Sequence, residues 1–346
     1  MELEKIYPLV LVALVVACYS NSLSCDLVFD DLPAIRDNRD IRPHTPIRNI
    51  FQNDFWGTPL RKEQSHKSYR PLTVLSFRLN YAVHGLYPFG YHLVNLFLHA
   101  LVCLLFYRLC LHFLPSTSSL VSSALFAVHP VHTEAVSGIV GRAELLSATA
   151  FLGALLYYIH ARCQQKTNVW HDCGVTSIFA VIGLLCKEQA VTVLAVCCIY
   201  EMAAPKNLNR IQSIRHLMLG RSIVSHWWRD KLLRASLLLS VAALAVYLRC
   251  KLMGPKLPVF SRFDNPAAVS ATPVRQLTYN FLLAVNAWLL LFPCHLCCDW
   301  TMSTVPLVTC LWDIRNLGTV FLYGGILWIL RSITKLEEEA RMAIIM

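Results

Sequence analysis

Long apolar runs separated by short polar stretches set the pattern of this chain: residues 6–23, 91–113, 120–138, 145–161, 175–200, 232–248, 279–292 and 318–330 are dominated by aliphatic and aromatic side chains. Runs near 20 residues match the thickness of a bilayer core, so most of these segments are expected to be membrane helices. The run at 175–200 is interrupted by Lys187-Glu188. Because a charged side chain at the bilayer centre costs about 2.5–3.5 kcal/mol, that run is read as two short helices turning at the pair, with a single helix bearing a paired Lys and Glu as the alternative. The segments at 279–292 and 318–330 allow a re-entrant reading, which leaves the side of the C-terminus open.

The longest polar interruption comes early, at residues 26–78. Within it Ile47, Ile50, Phe51, Phe55 and Trp56 recur at helical spacing, as do apolar residues at 72–83, which predicts short amphipathic helices lying in the membrane interface. Residues 6–23 follow Met-Glu-Leu-Glu-Lys and lack a small-residue cleavage site, so they read as an uncleaved signal anchor. The predicted organisation is a signal anchor at 1–25, a polar loop at 26–90, a multi-helix membrane domain at 91–330 and a short tail at 331–346. Residues 201–234 carry Lys206, Arg210, Arg215, Arg221, Arg229, Lys231 and Arg234 against Glu201 and Asp230, which marks a cytosolic loop. Counting crossings from there places the first loop, the His129 to Glu144 region, Lys187-Glu188 and 252–276 together on the non-cytosolic face.

Composition agrees with this class: 346 residues, 56% hydrophobic and 15% charged, with a mean hydropathy of +0.49. The formal net charge of +10 sits in loops between apolar runs, where topology and anionic lipid account for it, and nucleic-acid binding is excluded on that ground. Of fourteen cysteines, Cys18, Cys103, Cys110, Cys186, Cys197, Cys198 and Cys250 lie inside apolar runs and serve as small hydrophobes. Cys294, His295, Cys297 and Cys298 form the one metal-like grouping. No second pair at finger spacing follows it, which favours interfacial cysteines and no metal.

Several polar residues carry both a chemical and a plainer reading. Asp30-Asp31 precedes Leu32-Pro33-Ala34 and suits either a catalytic carboxylate or a helix cap. His129 and His132, with Glu134, have metal-ligand character but no further ligand nearby, so a hydrogen-bonded turn is the favoured reading. Arg142 and Glu144 suit an interfacial ion pair, and Arg70 before Pro71 suits a headgroup anchor.

Phe-Asp-Asp at 29–31, Asn-Asp-Phe-Trp-Gly at 53–57, Ser-His-Lys-Ser-Tyr-Arg-Pro-Leu-Thr at 65–73, His-Pro-Val-His-Thr-Glu-Ala-Val at 129–136, Val-Gly-Arg-Ala-Glu-Leu-Leu at 140–146, Cys-Lys-Glu-Gln at 186–189 and Phe-Asp-Asn-Pro-Ala-Ala at 263–268 occur in this order. Together they resemble the transmembrane and tetratricopeptide-repeat-containing (TMTC) family, over about 6–330, with the third vertebrate member as the nearest likeness. The resemblance implies an all-α polytopic membrane protein of GT-C glycosyltransferase fold, with a long luminal first loop bearing amphipathic helices, in the endoplasmic reticulum membrane. It implies an inverting transfer of mannose from dolichyl-phosphate mannose, a lipid-linked donor substrate, to Ser or Thr hydroxyls of acceptors such as cadherins. Family members continue into tetratricopeptide repeats. Here residues 331–346 follow the last apolar run, and the sequence shows no helical-pair repeat of about 34 residues.

What the resemblance implies can be set on particular residues. A hydroxyl needs a base as it attacks the sugar, and the departing phosphate needs cations. Asp30 or Asp31 is the implied base, with the other orienting; Arg70, Arg142, Lys187 and Arg275 are the implied donor-phosphate contacts; His129, His132, Glu134, Glu144 and Glu188 support the site. Two rival classes remain at this stage: a transporter, which calls for internal repeats that are not found, and a non-catalytic membrane partner.

Overall fold

The structure, a computed structural model, describes residues 2–164, 168–203, 223–254, 261–263, 265–297, 300–301, 304–333, 335–336 and 338–345. Most of the basic stretch that marked a cytosolic loop, including Lys206, Arg210, Arg215 and Arg221, lies outside the described residues, as do Asp264, Cys298 and Asp299. Among the described residues every regular element is a helix, with one isolated bridge between Asn53 and Pro59. Six helical stretches among the described residues are long and apolar enough to cross a membrane: Glu4–Ser24, Pro88–Cys110, Ile139–Cys163, Val169–Cys186, Trp228–Met253 and Asn316–Ile333.

The chain divides into two compact units. The larger comprises Met1–Val128, Ala135–Lys256 and Glu338–Met346; the smaller, His129–Glu134 and Leu257–Glu337. In the larger unit α1 (Glu2–Tyr19) packs on α3 (Pro88–Cys110) and α4 (Ser116–Val128). Helix α6 (Arg142–Cys163) packs on α3 and on α7 (Val169–Cys186), while α8 (Val193–Ala203) packs on α9 (Ile223–Met253). Buried Leu152, Leu155, Tyr158, Ala180, Leu194 and Cys197 form the core shared by α6, α7 and α8. The short helix α2 (Pro71–His84) lies between the first loop and this bundle. The smaller unit pairs α10 (Val274–Leu291) with α11 (Asn316–Ile333), and Phe281, Trp288, Leu291, Phe321 and Ile329 line an apolar groove between them.

Connectivity gives the larger unit two ends. Helices α1, α4, α7 and α9 run toward one of them, and α3, α6 and α8 run away from it. The predicted break at Lys187-Glu188 is present: α7 stops at Cys186, Lys187 is extended at φ −155°, ψ 144°, and a 3-10 turn at Glu188–Thr192 leads into α8. Gly183 makes this reversal possible, because a Cβ there would lie 2.6 Å from the Ala190 Cβ and 3.2 Å from the Ala150 Cβ.

Two sequence expectations are corrected. The continuous helix expected at 120–138 stops at Val128 in α4; His129 is extended before Pro130, whose neighbourhood disfavours a continuing helix, and a 3-10 turn at Pro130–His132 and a separate short helix at Thr133–Ser137 follow. The first loop also lacks an amphipathic α-helix at 47–56. It is built from 3-10 turns at Arg39–Ile41 and Ile47–Phe51 and an irregular stretch that puts Phe55 into the core with Ile50, Val74, Phe77 and Tyr91. Helical spacing failed there because side-chain bonds replace the helical ladder. Asp54 accepts from the amides of Trp56 at 3.0 Å, Thr58 at 2.9 Å and His66 at 3.1 Å and from the Ser65 hydroxyl at 2.7 Å. Gly57, at φ +81°, admits no side chain, since a Cβ would sit 2.5 Å from the Asn38 Oδ1.

Candidate functional site

The two adjacent aspartates face different surroundings, as neighbouring residues outside a regular helix are free to do. Asp30 is exposed, directly after Phe29, which holds a left-handed backbone conformation at φ +48° with its ring largely exposed. Asp31 is buried, 1% exposed. Its Oδ1 accepts from the Val140 amide at 3.0 Å and its Oδ2 from the Val28 amide at 3.4 Å. The carboxylate makes no cap bond to the short π-helical turn Leu32–Arg36 that follows, so its role is to tie the loop to the start of α6. Burial pushes the Asp31 carboxyl above the usual carboxylate range, although the amides of Val140, Val28 and Ile139 act in the opposite direction.

On the same end of the larger unit a charged cluster joins four elements. Arg70, at the entry to α2, places its guanidinium against Glu188, with Nε donating to Oε2 at 3.3 Å and Nη2 to Oε1 at 2.9 Å. Arg249, near the end of α9, donates from Nη2 to Glu188 Oε2 at 3.1 Å. Its Nη1 reaches the backbone oxygens of Tyr69 at 2.9 Å and Leu184 at 3.3 Å. Lys187 pairs with Glu144 on α6. The Thr73 hydroxyl donates to the Cys186 carbonyl at 2.9 Å, which closes the contact between α2 and α7. Partial burial acts most strongly, to raise the Glu188 carboxyl, yet the Arg70 guanidinium, the residue's own amide and Arg249 together hold the group below its ordinary value.

Arg142 takes a different place from the one the sequence suggested. It is fully buried, with Nε donating to Asn95 Oδ1 at 2.9 Å, Nη2 to the Tyr91 carbonyl at 2.9 Å, and its guanidinium carbon 4.8 Å from the Phe77 ring centre. Asn95 in turn donates to the Gly138 carbonyl at 3.0 Å. As placed, Arg142 holds α3, α2 and α6 together and offers nothing to a group outside the protein. It does not pair with Glu144, whose partner is Lys187.

Arg275, His129, His132 and Glu134 belong to the smaller unit. Arg275 is exposed at the start of α10, its Nε donating to the Ser270 carbonyl at 3.0 Å. His129 forms a turn: Nδ1 accepts from the Val131 amide at 3.2 Å, so Nε2 carries the proton and donates to the Leu290 carbonyl at 3.1 Å. Its ring lies edge-on to His132, with centroids 6.1 Å apart. Glu134 is in the first turn of α5 (Thr133–Ser137). Among the described residues no three His, Cys, Asp or Glu side chains gather as a metal site, and Cys294 and Cys297 are both exposed.

Within the larger unit the arrangement brings Arg70, Lys187, Glu144 and Glu188 into one cluster and sets Asp30 and Asp31 on the same end of the bundle. The sequence reading missed Arg249. It closes an apolar run and looked like a boundary residue, and the only signal for it was a basic residue on the same predicted face as Lys187-Glu188.

A family model described as "Protein O-mannosyl-transferase TMTC, DUF1736" matches residues 254–327. The chain is 49% identical over 312 residues to Protein O-mannosyl-transferase TMTC3 of Homo sapiens, a match covering 89% of this chain and 34% of that protein. It is 47% identical over 349 residues to Protein O-mannosyl-transferase Tmtc3 of Drosophila melanogaster, covering 89% and 38%. It is 36% identical over 340 residues to Protein O-mannosyl-transferase TMTC4 of Homo sapiens, covering 91% and 46%. The chain thus spans a third to a half of the length of these relatives. No solved structure matches it.

Proposed function

Because the chain belongs to the TMTC family, as its similarity to these relatives over about nine-tenths of its length indicates, we propose that it performs protein O-mannosylation with the GT-C fold. The donor is dolichyl-phosphate mannose, and the acceptors are Ser or Thr hydroxyls of secretory-pathway proteins of the cadherin class, in the endoplasmic reticulum membrane. The observation that carries this reading is an exposed Asp30, beside an anchored Asp31, on the bundle end that also gathers Arg70, Arg249 and Lys187.

In this mechanism Asp30 takes the proton of the acceptor hydroxyl as that oxygen attacks the anomeric carbon of mannose. The bond from that carbon to the phosphate oxygen breaks on the opposite face, and its electron pair leaves with dolichyl phosphate, so one displacement inverts the anomeric centre. Asp31 fixes the peptide that carries Asp30. Arg70, partly exposed at 17% of its side chain, as Lys187 is at 14%, stabilises the departing phosphate. Lys187 adds positive potential through its position beside Arg70's partner Glu188. Arg142 is assigned to architecture.

The test is transfer from radiolabelled dolichyl-phosphate mannose to a cadherin-domain acceptor by the purified chain. Asp30→Asn keeps size and hydrogen bonding and removes the base, so turnover is expected to fall by about 10²–10⁴-fold at matched expression. Undiminished transfer in this variant overturns the assignment of Asp30. Absence of transfer by the unsubstituted chain, under conditions where a full-length relative is active, overturns the proposal for this chain.

A further inference from the structure

Arg70 is the most exposed cation of the cluster, at 17% side-chain exposure against 14% for Lys187 and 10% for Arg249, and its position depends on a second arginine 179 residues later in the sequence numbering, at 249. Arg249 is 9% exposed. One of its amino groups binds the carbonyl of Tyr69, the residue just before Arg70, together with the carbonyl of Leu184 in the last turn of α7. The other binds Oε2 of the Glu188 carboxylate, the oxygen to which Arg70 Nε also donates, while Arg70 Nη2 takes Oε1. Arg249 therefore holds both the backbone from which Arg70 projects and the anion against which it rests.

We infer that Arg249 is a positioning residue for Arg70, fixing its direction and preserving its positive charge for an anionic donor. This inference rests on the function proposed above. The charge argument is a count: Arg70, Arg249 and Lys187 supply three positive charges, and Glu188 and Glu144 two negative ones, leaving one in excess. Without Arg249, Glu188 would neutralise Arg70 fully. With it, the carboxylate is divided between two guanidiniums and Arg70 retains field for a ligand. A planar fork that serves two carbonyls and a carboxylate at fixed angles suits arginine; the single ammonium of lysine cannot reproduce it.

Arg249→Lys keeps the charge and removes the fork. With the full chain in detergent and labelled dolichyl-phosphate mannose as the varied substrate, the donor KM is expected to rise about tenfold while kcat changes less than about threefold. If Arg249 acts through Arg70, the double variant Arg249→Lys with Arg70→Lys raises KM no further than Arg70→Lys alone. A merely structural arginine would lower the active fraction, and hence kcat, with KM unchanged. Hydrogen exchange provides a readout that needs no transfer: peptides covering 66–72 are expected to exchange faster in Arg249→Lys, with the α1, α3 and α4 peptides unaltered. If the unsubstituted chain proves inactive, the functional reading fails and exchange alone decides the positioning. Unaltered exchange at 66–72, or KM effects of the two substitutions that multiply, would overturn it.

Discussion

At the scale of single residues, burial decides what each charge does. Asp31 is held within the protein with a raised carboxyl. A folded-state value above the unfolded one means that the native state binds the proton more tightly, so this group's contribution to stability falls as pH rises from the ordinary carboxylate value through the raised one. Asp31→Asn removes that loss while its oxygen can still accept from Val140. Melting in detergent at pH 7 is expected to show a Tm equal to or above the unsubstituted protein; a fall in Tm would mean that the amide cannot replace the carboxylate in holding Val140 and Val28. Glu188 has the opposite sign: its lowered carboxyl contributes stability above the unfolded value that disappears as pH falls through the folded one. Arg142 is architectural, and Arg142→Ala would leave Asn95 and the Tyr91 carbonyl without their donor in a closed interior. The expected cost is on the order of 3–5 kcal/mol, read as loss of folded protein on size-exclusion in detergent. The sequence placed Arg142 beside Glu144 and so suggested a pair, because residues two apart look adjacent on paper. On a helix they point to different sides, and only the packed structure shows Arg142 turned inward and Glu144 turned to Lys187.

At the scale of elements, the sequence carried the helices well and the loop poorly, for one physical reason. A membrane helix satisfies its own backbone, so an apolar run of the right length is enough to define it, as α3, α6 and α9 show. The turn at Lys187-Glu188 was legible for the same reason, since two charges could not rest at midplane. The first loop is held by contacts distant in sequence, such as Asn38 donating to the Phe55 carbonyl at 3.1 Å and Arg78 to the Asp40 carbonyl at 2.9 Å, and no local periodicity encodes those. Arg249 was missed on the same account. The reversal between α7 and α8 yields an element-scale prediction. Gly183→Ala would push a methyl into Ala190 and Ala150, costing about 1–3 kcal/mol by overpacking. Thermal melting should register that loss, and an unchanged Tm would mean that α6, α7 and the turn separate at little cost.

At the scale of the whole molecule, the alternation of α1, α3, α4, α6, α7, α8 and α9 places Glu63 and Gln164, both exposed, at opposite ends of the larger unit. Single cysteines introduced at these positions into a background stripped of exposed thiols should label from opposite sides of sealed microsomes; labelling of both from one side would contradict the order of crossings. The ties between the first loop and the bundle also have a temporal meaning. Asp31 is bound to a residue 109 positions later, Arg70 to one 118 later, and the Tyr69 carbonyl to one 180 later. At about 5–20 residues per second of synthesis, the loop is fully translated roughly 10–40 seconds before its last support emerges from the ribosome. During that interval its apolar residues and its aspartates belong to an unfinished surface, open to proteases and chaperones. A lesion in α9 would therefore be felt first as failed maturation of a segment made long before it.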